Sequence, residues 1–176
     1  IGLANNNALA FVLTPTVEAP NFDAEDGTIV EICPDGVEFA SAIARPILKN
    51  RGAALIIDYG DDEVIGETLQ AVSNHRQAHL FSTAGTADIT AHVSFTPLMT
   101  AARKIGCRVY PTLTQGEFLL GLGAKERTEQ LCANAREDQK RSLQAALHRL
   151  TDKQQMGTLF KVLVFTDRNS PTPPAI

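Results

Sequence analysis

Three short clusters carry residue types able to do chemistry. The first is Asp58-Tyr59-Gly60, which closes the uninterrupted apolar run Ala53 to Ile57. A run this short, without alternation, reads as a strand buried on both faces. The acid, the aromatic and the glycine then stand at its carboxyl end, where open α/β sheets bind their ligands. The second cluster is Asp88-Ile-Thr90-Ala-His92, whose alternation places Asp88, Thr90 and His92 on one side of an extended segment. The third, Thr114-Gln115-Gly116-Glu117, opens a short helix where Thr114 can cap and Glu117 suits the amino end. Each has a plainer reading as well. The first is equally a buried strand followed by an ordinary turn, and for the other two pattern alone favours capping and turn chemistry.

Other chemistries find little support. His75 and His79 are four apart, but no acid or third ligand accompanies them at zinc spacing, so they read as a solvated loop and no metal is expected. Gly116, Gly121 and Gly123 follow no strand-to-helix order, so they make no nucleotide fingerprint. No Ser or Cys sits in a nucleophile elbow. Cys33, Cys107 and Cys132 are widely spaced and odd in number, which fits reduced thiols in a cytosol-like compartment. A net charge of -4 gives no footprint for nucleic acid. No apolar run approaches the roughly 20 residues of a membrane span. With 176 residues, 44% hydrophobic and 20% charged, the chain has the composition of one globular domain or a large piece of one. It opens without Met and runs quickly into an apolar stretch, which reads as a chain entered part-way.

The elements that must position these clusters follow from pattern. Residues 8–13 and 28–33 read as strands joined by an exposed hairpin loop at 14–27. A helix begins at Pro34, with Val37, Ala40, Ala44, Ile47 and Leu48 as its apolar stripe, and Pro46 predicts a kink or an early end. After the strand at 53–57, the polar stretch 61–85 reads as a long mobile loop, a flap over a cleft. A helix starts at Thr96-Pro97 and stops at Gly106, and a short strand covers 107–110. Helices follow at 115–122, 125–133 and 137–150, then a last strand at 158–165 and a loose Pro-rich tail at 170–176. Strands and helices alternate through the middle, so the class is α/β, with a helix-rich insertion before the last strand.

Five stretches, in order and at matching spacing, resemble the MidA family of S-adenosylmethionine (SAM)-dependent methyltransferases. They are residues 51–60, Thr68 to Val72 with His75-Arg76, Gly85 to Phe95, Thr114 to Leu119 with Leu122-Gly123, and Met156 to Lys161. The resemblance covers about 28–165. It implies part of a seven-strand, Rossmann-like methyltransferase sheet with a helical insertion, SAM as cofactor, and residues 1–169 as the carboxyl-terminal half of the domain. The family's glycine-rich SAM loop and ribose-binding acid belong to its amino-terminal half and are not in this chain, so its cofactor-binding residues are left unknown and it is expected to be inactive alone. Strands deprived of their central sheet neighbours would expose an edge.

The family's mitochondrial member is a respiratory complex I assembly factor that dimethylates an arginine of a core subunit. The resemblance therefore implies a protein arginine methyltransferase, in the mitochondrial matrix of a eukaryote or the cytoplasm of a bacterium. Its partner would be a protein substrate, possibilities including a complex I core subunit, and homo-oligomerisation stays open. A planar guanidinium is gripped well by carboxylates. The resemblance selects Asp58 and Glu117 as catalytic, with Tyr59, Gly60, Asp88, Thr90, His92 and Gln115 as substrate-binding. A non-catalytic binding or assembly module with the same fold is the alternative, and half of an α/β oxidoreductase a remoter one.

Overall fold

The computed structural model describes residues 1–5, 8–13, 25–81 and 85–176. In chain order the elements begin with β1 (Gly2–Leu3), β2 (Leu9–Ala10), α1 (Pro34–Asn50), β3 (Ala53–Asp61), β4 (Gln70–Ser73), β5 (Arg76–Ala78), β6 (Asp88–Thr90) and β7 (Val93–Ser94). They continue with α2 (Phe95–Ile105), β8 (Arg108–Val109), β9 (Leu113–Thr114), α3 (Gln115–Gly121), α4 (Ala124–Ala133), α5 (Glu137–Thr151), α6 (Met156–Leu159) and β10 (Phe160–Thr166). Two compact units result. The larger comprises Ile32–Val64 with Val93–Ile176, and the smaller Ile1–Glu31 with Ile65–His92.

The larger unit is built on the antiparallel pair β3–β10, in register from Tyr59 opposite Phe160 to Ala53 opposite Thr166. The sheet order is β7-β3-β10-β8, with β9 also pairing β10. β3 and β7 are parallel, through Gly60 opposite Val93 and Asp61 opposite Ser94. One face of the sheet presents Leu163 and Phe165, both fully buried, to Ala44 and Ile47 of α1 and to Phe95, Met99 and Ala102 of α2. The other presents Val162 and Val164 to Tyr110 and Phe118. Two-sided burial thus belongs to β10. β3 differs from the expectation for 53–57: Ala54 and Ile56 pack inward, while Leu55 and Ile57 stay 53% and 42% exposed. The elements that cover Val162 and Val164 do not extend over their cross-strand neighbours Ile57 and Leu55. From Ala53 to Tyr59, the β7 side of β3 has no paired strand among the described residues.

Local chemistry accounts for most element ends. α1 has Pro34 in its first turn, where the missing amide is not needed, and Lys49 in its last. It also runs on through Pro46 to Asn50. Ala44 and Ile47, on either side of Pro46, are both held in the core, and that packing outweighs the roughly 3 kcal/mol an internal proline costs. α2 stops at Gly106, whose φ of 111° lets its amide reach back to Ala102 O and Arg103 O. The tail is not loose. Ala175 and Ile176 pack on the Tyr110–Phe118 cluster, and a Cβ on Gly121 would lie 2.9 Å from Ala175 Cβ.

The smaller unit holds a β1–β2 pair and an antiparallel sheet β5-β4-β6, with Ala71 buried in β4. The expected pairing of 8–13 with 28–33 does not form: β2 pairs β1, and 28–33 carries no strand. Most of the connecting loop, 14–24, lies outside the described residues. The stretch 61–85 is no plain loop either, since it contains β4 and β5. Their hairpin turns at Asn74 and His75, with φ of 51° and 60°, between the paired Ser73 and Arg76. Two positive φ angles give the turn the twist a two-residue hairpin needs. Asn tolerates that conformation, but a sequence scan for Asn-Gly or Gly-rich turns passes over Asn-His. Residues 82–84 are outside the described set.

Asp167, directly after β10, ties the ends of the central pair together. Its carboxylate accepts from the Ser170 hydroxyl, from the Asn169 amide at 3.0 Å and from the Gly52 amide at 3.4 Å, and its own amide donates to Gly52 O at 3.1 Å. The Ser170 hydroxyl, then the Asn169 amide, hold the carboxyl below its ordinary value of 3.8. A lowered carboxylate contributes stability above 3.8 that is lost as pH falls through the folded value. Urea midpoints followed down the acid range should therefore fall more steeply for the wild type than for Asp167→Asn. Parallel acid limbs would show that Asp167 holds no such charge-dependent bond.

Candidate functional site

The carboxyl end of β3 brings acids and one cation together. Asp58 lies opposite Lys161 in the β3–β10 register, and Tyr59 lies opposite Phe160 with ring centroids 5.7 Å apart. The carboxylate of Asp58 accepts the Tyr59 amide at 2.8 Å. Gly60 is the point of closest approach to β7. A Cβ there would stand 2.0 Å from Val93 O, so the strand crossing needs glycine. Asp61 accepts the Asp62 amide at 2.8 Å and lies 3.2 Å from Lys161 Nζ. The Asp62 amide first, with Lys161 added, holds the Asp61 carboxyl below its ordinary range against some burial. Asp62 then fixes the next elements. Its carboxylate accepts the Thr112 hydroxyl at 2.5 Å, and its carbonyl accepts the Thr96 amide at 2.9 Å and the Ser94 hydroxyl at 3.2 Å.

Lys161 also faces the third cluster, because β10 pairs β9 with Lys161 opposite Thr114. Thr114 caps α3. Its hydroxyl receives the Glu117 amide at 3.2 Å, while Glu117 Oε2 accepts the Thr114 amide at 3.0 Å and the Thr114 hydroxyl at 2.7 Å. This is a complete capping box. The Thr114 donors, helped by the charges of Lys153 and Lys161, hold the Glu117 carboxyl low. Gln115 is 7% exposed and donates through Nε2 to Leu150 O at 2.9 Å, which fastens α3 to the last turn of α5. A Cβ on Gly116 would meet Thr151 O at 2.6 Å, so those helices also touch through a bare backbone.

Asp88, Thr90 and His92 belong to the smaller unit. Asp88 and Thr90 flank the half-exposed Ile89 in β6, opposite Val72 and Gln70 of β4. His92 follows the strand, and its amide donates to Thr68 Oγ1 at 2.8 Å. The chain thus gathers Asp58, Tyr59, Gly60, Gln115 and Glu117 around β10 of the larger unit and carries the other three on a separate one. Sequence reasoning passed over Lys161, Asp61, Asp62 and Thr112. A lone cation inside the apolar run Phe160-Lys-Val-Leu-Val-Phe165 was the available signal for Lys161. Nothing comparable marks Thr112. Among the described residues, no three His, Cys, Asp or Glu side chains are grouped to hold a metal ion, and no helix is long and apolar enough to cross a membrane.

Comparison with known proteins settles the family. A family described as "Putative S-adenosyl-L-methionine-dependent methyltransferase" matches residues 4–112. The chain belongs to it. The chain is also similar to the Mus musculus mitochondrial protein arginine methyltransferase NDUFAF7, 33% identical over 88% of this chain and 36% of that protein. The Homo sapiens counterpart is 31% identical over the same shares, 88% and 36%. A Burkholderia thailandensis protein solved with S-adenosyl-homocysteine bound is 26% identical and superposes with a TM-score of 0.81, covering 98% of this chain and 48% of that one. A second Burkholderia thailandensis structure gives a TM-score of 0.83 at 26% identity over 99% of this chain and 50% of its own. The chain therefore spans about a third of the curated relatives and half of the solved ones. The methyltransferase resemblance and the α/β class expected from the sequence are both borne out.

The capping box yields a direct measurement. Glu117→Ala removes the acceptor for the Thr114 amide, and loss of a cap costs about 1 kcal/mol. Urea unfolding should show a loss of that size. Glu117→Gln, whose side-chain oxygen can still accept the amide, should lose less. Equal losses would mean that charge, rather than the box, stabilises the helix start.

Proposed function

We propose that this chain forms the acceptor side of a SAM-dependent protein arginine methyltransferase, as the carboxyl-terminal half of its catalytic domain. Membership of the family supports the reaction class, and the names of the curated relatives support arginine as the acceptor. The observation that carries the reading is the carboxyl end of β3, where Asp58, Asp61 and Asp62 follow one another beside a single partly buried lysine. A guanidinium entering there meets oxygens suited to paired hydrogen bonds. Transfer of a methyl group from a sulfonium needs the attacking nitrogen held in line, so orientation is the main contribution such residues make. Asp58 orients the acceptor, with Tyr59 packing beside it. Glu117 fixes α3 and adds negative charge. On the smaller unit, Asp88, Thr90 and His92 form a contact of their own for the acceptor protein, with His92 as its proton-handling group.

In this reading the adenosyl site is built mainly by the amino-terminal half. Among the described residues, Gly121 and Gly123 sit at the end of a helix, with Gly121 against the tail, and do not form the strand-to-helix turn that would cradle SAM. When bound, SAM supplies the electrophilic methyl group. Calorimetric titration of SAM into residues 1–176 should give little or no heat. Micromolar binding would place the cofactor site within this chain and overturn the division into halves. The acceptor protein is a subunit of respiratory complex I or a related protein, reached in the mitochondrial matrix of a eukaryote or the cytoplasm of a bacterium. A non-catalytic assembly module is the second reading, favoured by the use of Glu117 and Gln115 in holding α3.

Asp58→Asn separates the two. It keeps the side-chain size and an acceptor for the Tyr59 amide but removes the charge. Methyl transfer by the enzyme to its protein acceptor should fall roughly 10-fold or more, about 1.4 kcal/mol of barrier, with the melting temperature unchanged. Undiminished transfer would reduce Asp58 to a turn residue.

A further inference from the structure

Glu31 belongs to none of the clusters above, yet its carboxylate is among the most fully engaged in the smaller unit. Oε1 accepts the Thr68 amide at 2.9 Å and the Leu69 amide at 3.0 Å, and Oε2 accepts the Thr68 hydroxyl. The oxygen of that hydroxyl in turn accepts the His92 amide at 2.8 Å. A hydroxyl carries one hydrogen and two lone pairs, so directing the hydrogen at Glu31 turns a lone pair toward His92. An ionised acceptor makes the first bond stronger and shorter than a neutral one would. Burial works against the charge. The Thr68 hydroxyl and the two amides outweigh it, with His92 assisting, and hold the carboxyl below its ordinary value. Two residues beyond Thr68, Gln70 pairs with Thr90, so the same short segment meets the polar row at two places.

We infer that Glu31 is a positioning residue which, through Thr68, holds His92 in line with Asp88 and Thr90 and thereby sets affinity for the protein acceptor. The inference rests on the acceptor role proposed for that row. Glu31 acts at a distance: its oxygens are occupied by Thr68 and Leu69, and what it determines is where the backbone of His92 lies.

Three variants test it. Thr68→Val keeps the shape and removes the hydroxyl. Thr68→Ser restores the hydroxyl. Glu31→Gln keeps an acceptor for the amides but offers Thr68 Oγ1 a hydrogen, which competes with His92. In the chain itself, amide exchange at His92 should quicken about 10-fold in Thr68→Val and Glu31→Gln, the loss of one hydrogen bond, and stay near wild type in Thr68→Ser. In the enzyme, the acceptor KM should rise about 10-fold in the first two variants, with the KM for SAM unchanged and Thr68→Ser rescued. An acceptor KM that does not move although the His92 amide has opened overturns the inference. So does a Thr68→Ser variant as impaired as Thr68→Val, or a His92 amide whose exchange is unaltered. If the acceptor residue proves not to be arginine, or binds without turnover, the functional reading fails, and the same split is measured with that acceptor as KM or Kd values.

Discussion

The antiparallel pairing of β3 with β10 is the interaction on which the larger unit depends. Seven residue pairs in unbroken register place Leu163 and Phe165 beside Ala54 and Ile56 on one face and Val162 and Val164 beside Leu55 and Ile57 on the other. Much of the larger unit attaches to those strands. Helices α1 and α2 cover the first face, the Tyr110–Phe118 cluster covers part of the second, and Asp167 closes one end through Gly52. At the other end the same register sets Lys161 between Asp58 and Thr114. Because side chains alternate along a strand, a slip by one residue would move Lys161 to the opposite face and break the core along with the site. Stability and chemistry are therefore set by one register.

The polar end of this pairing has a clear electrostatic logic. Four carboxylates, on Asp58, Asp61, Asp62 and Glu117, gather near a single cation on the sheet, and most of them accept hydrogen bonds from amides or hydroxyls beside them. Such donors are fixed in place, and at Asp61 and Glu117 they favour the ionised form without neutralising it. The result is an acid-rich end to the sheet. That is suited to drawing in a cation and poorly suited to holding a phosphate.

Much of this was legible in the sequence, and the failures have physical causes. Helix starts and stops were readable because their signals are local: Pro34, Gly106, and Thr114 with Glu117. The two-sided burial assigned to 53–57 was misplaced, since an unbroken apolar run states what a strand could bury and cannot say which neighbour covers it. Pro46 was read by its own cost, and the packing on either side of it is a tertiary quantity. The strand pairing of 8–13 and the hairpin inside 61–85 depended on partners and on a turn whose Asn-His pair lacks the usual glycine. The three clusters were found by residue type. Their division between two units, and the contacts of Lys161 and Glu31, emerge only from long-range pairing.

The order of elements along the chain has a further consequence, for synthesis. β10 is the last strand, so β3 leaves the ribosome roughly 100 residues before its partner, an interval of about 5–20 s at ordinary rates of elongation. During that time its apolar residues have α1 and then α2 to shelter them on one face only. Pairing across so long a separation is also slow in its own right, because the entropy of closing the loop comes before any contact is gained. The nascent chain therefore passes through a stage in which a strand-forming segment is complete but still lacks its partner along the β10 edge. Assistance from a chaperone would matter most in that interval, before residue 160 has emerged.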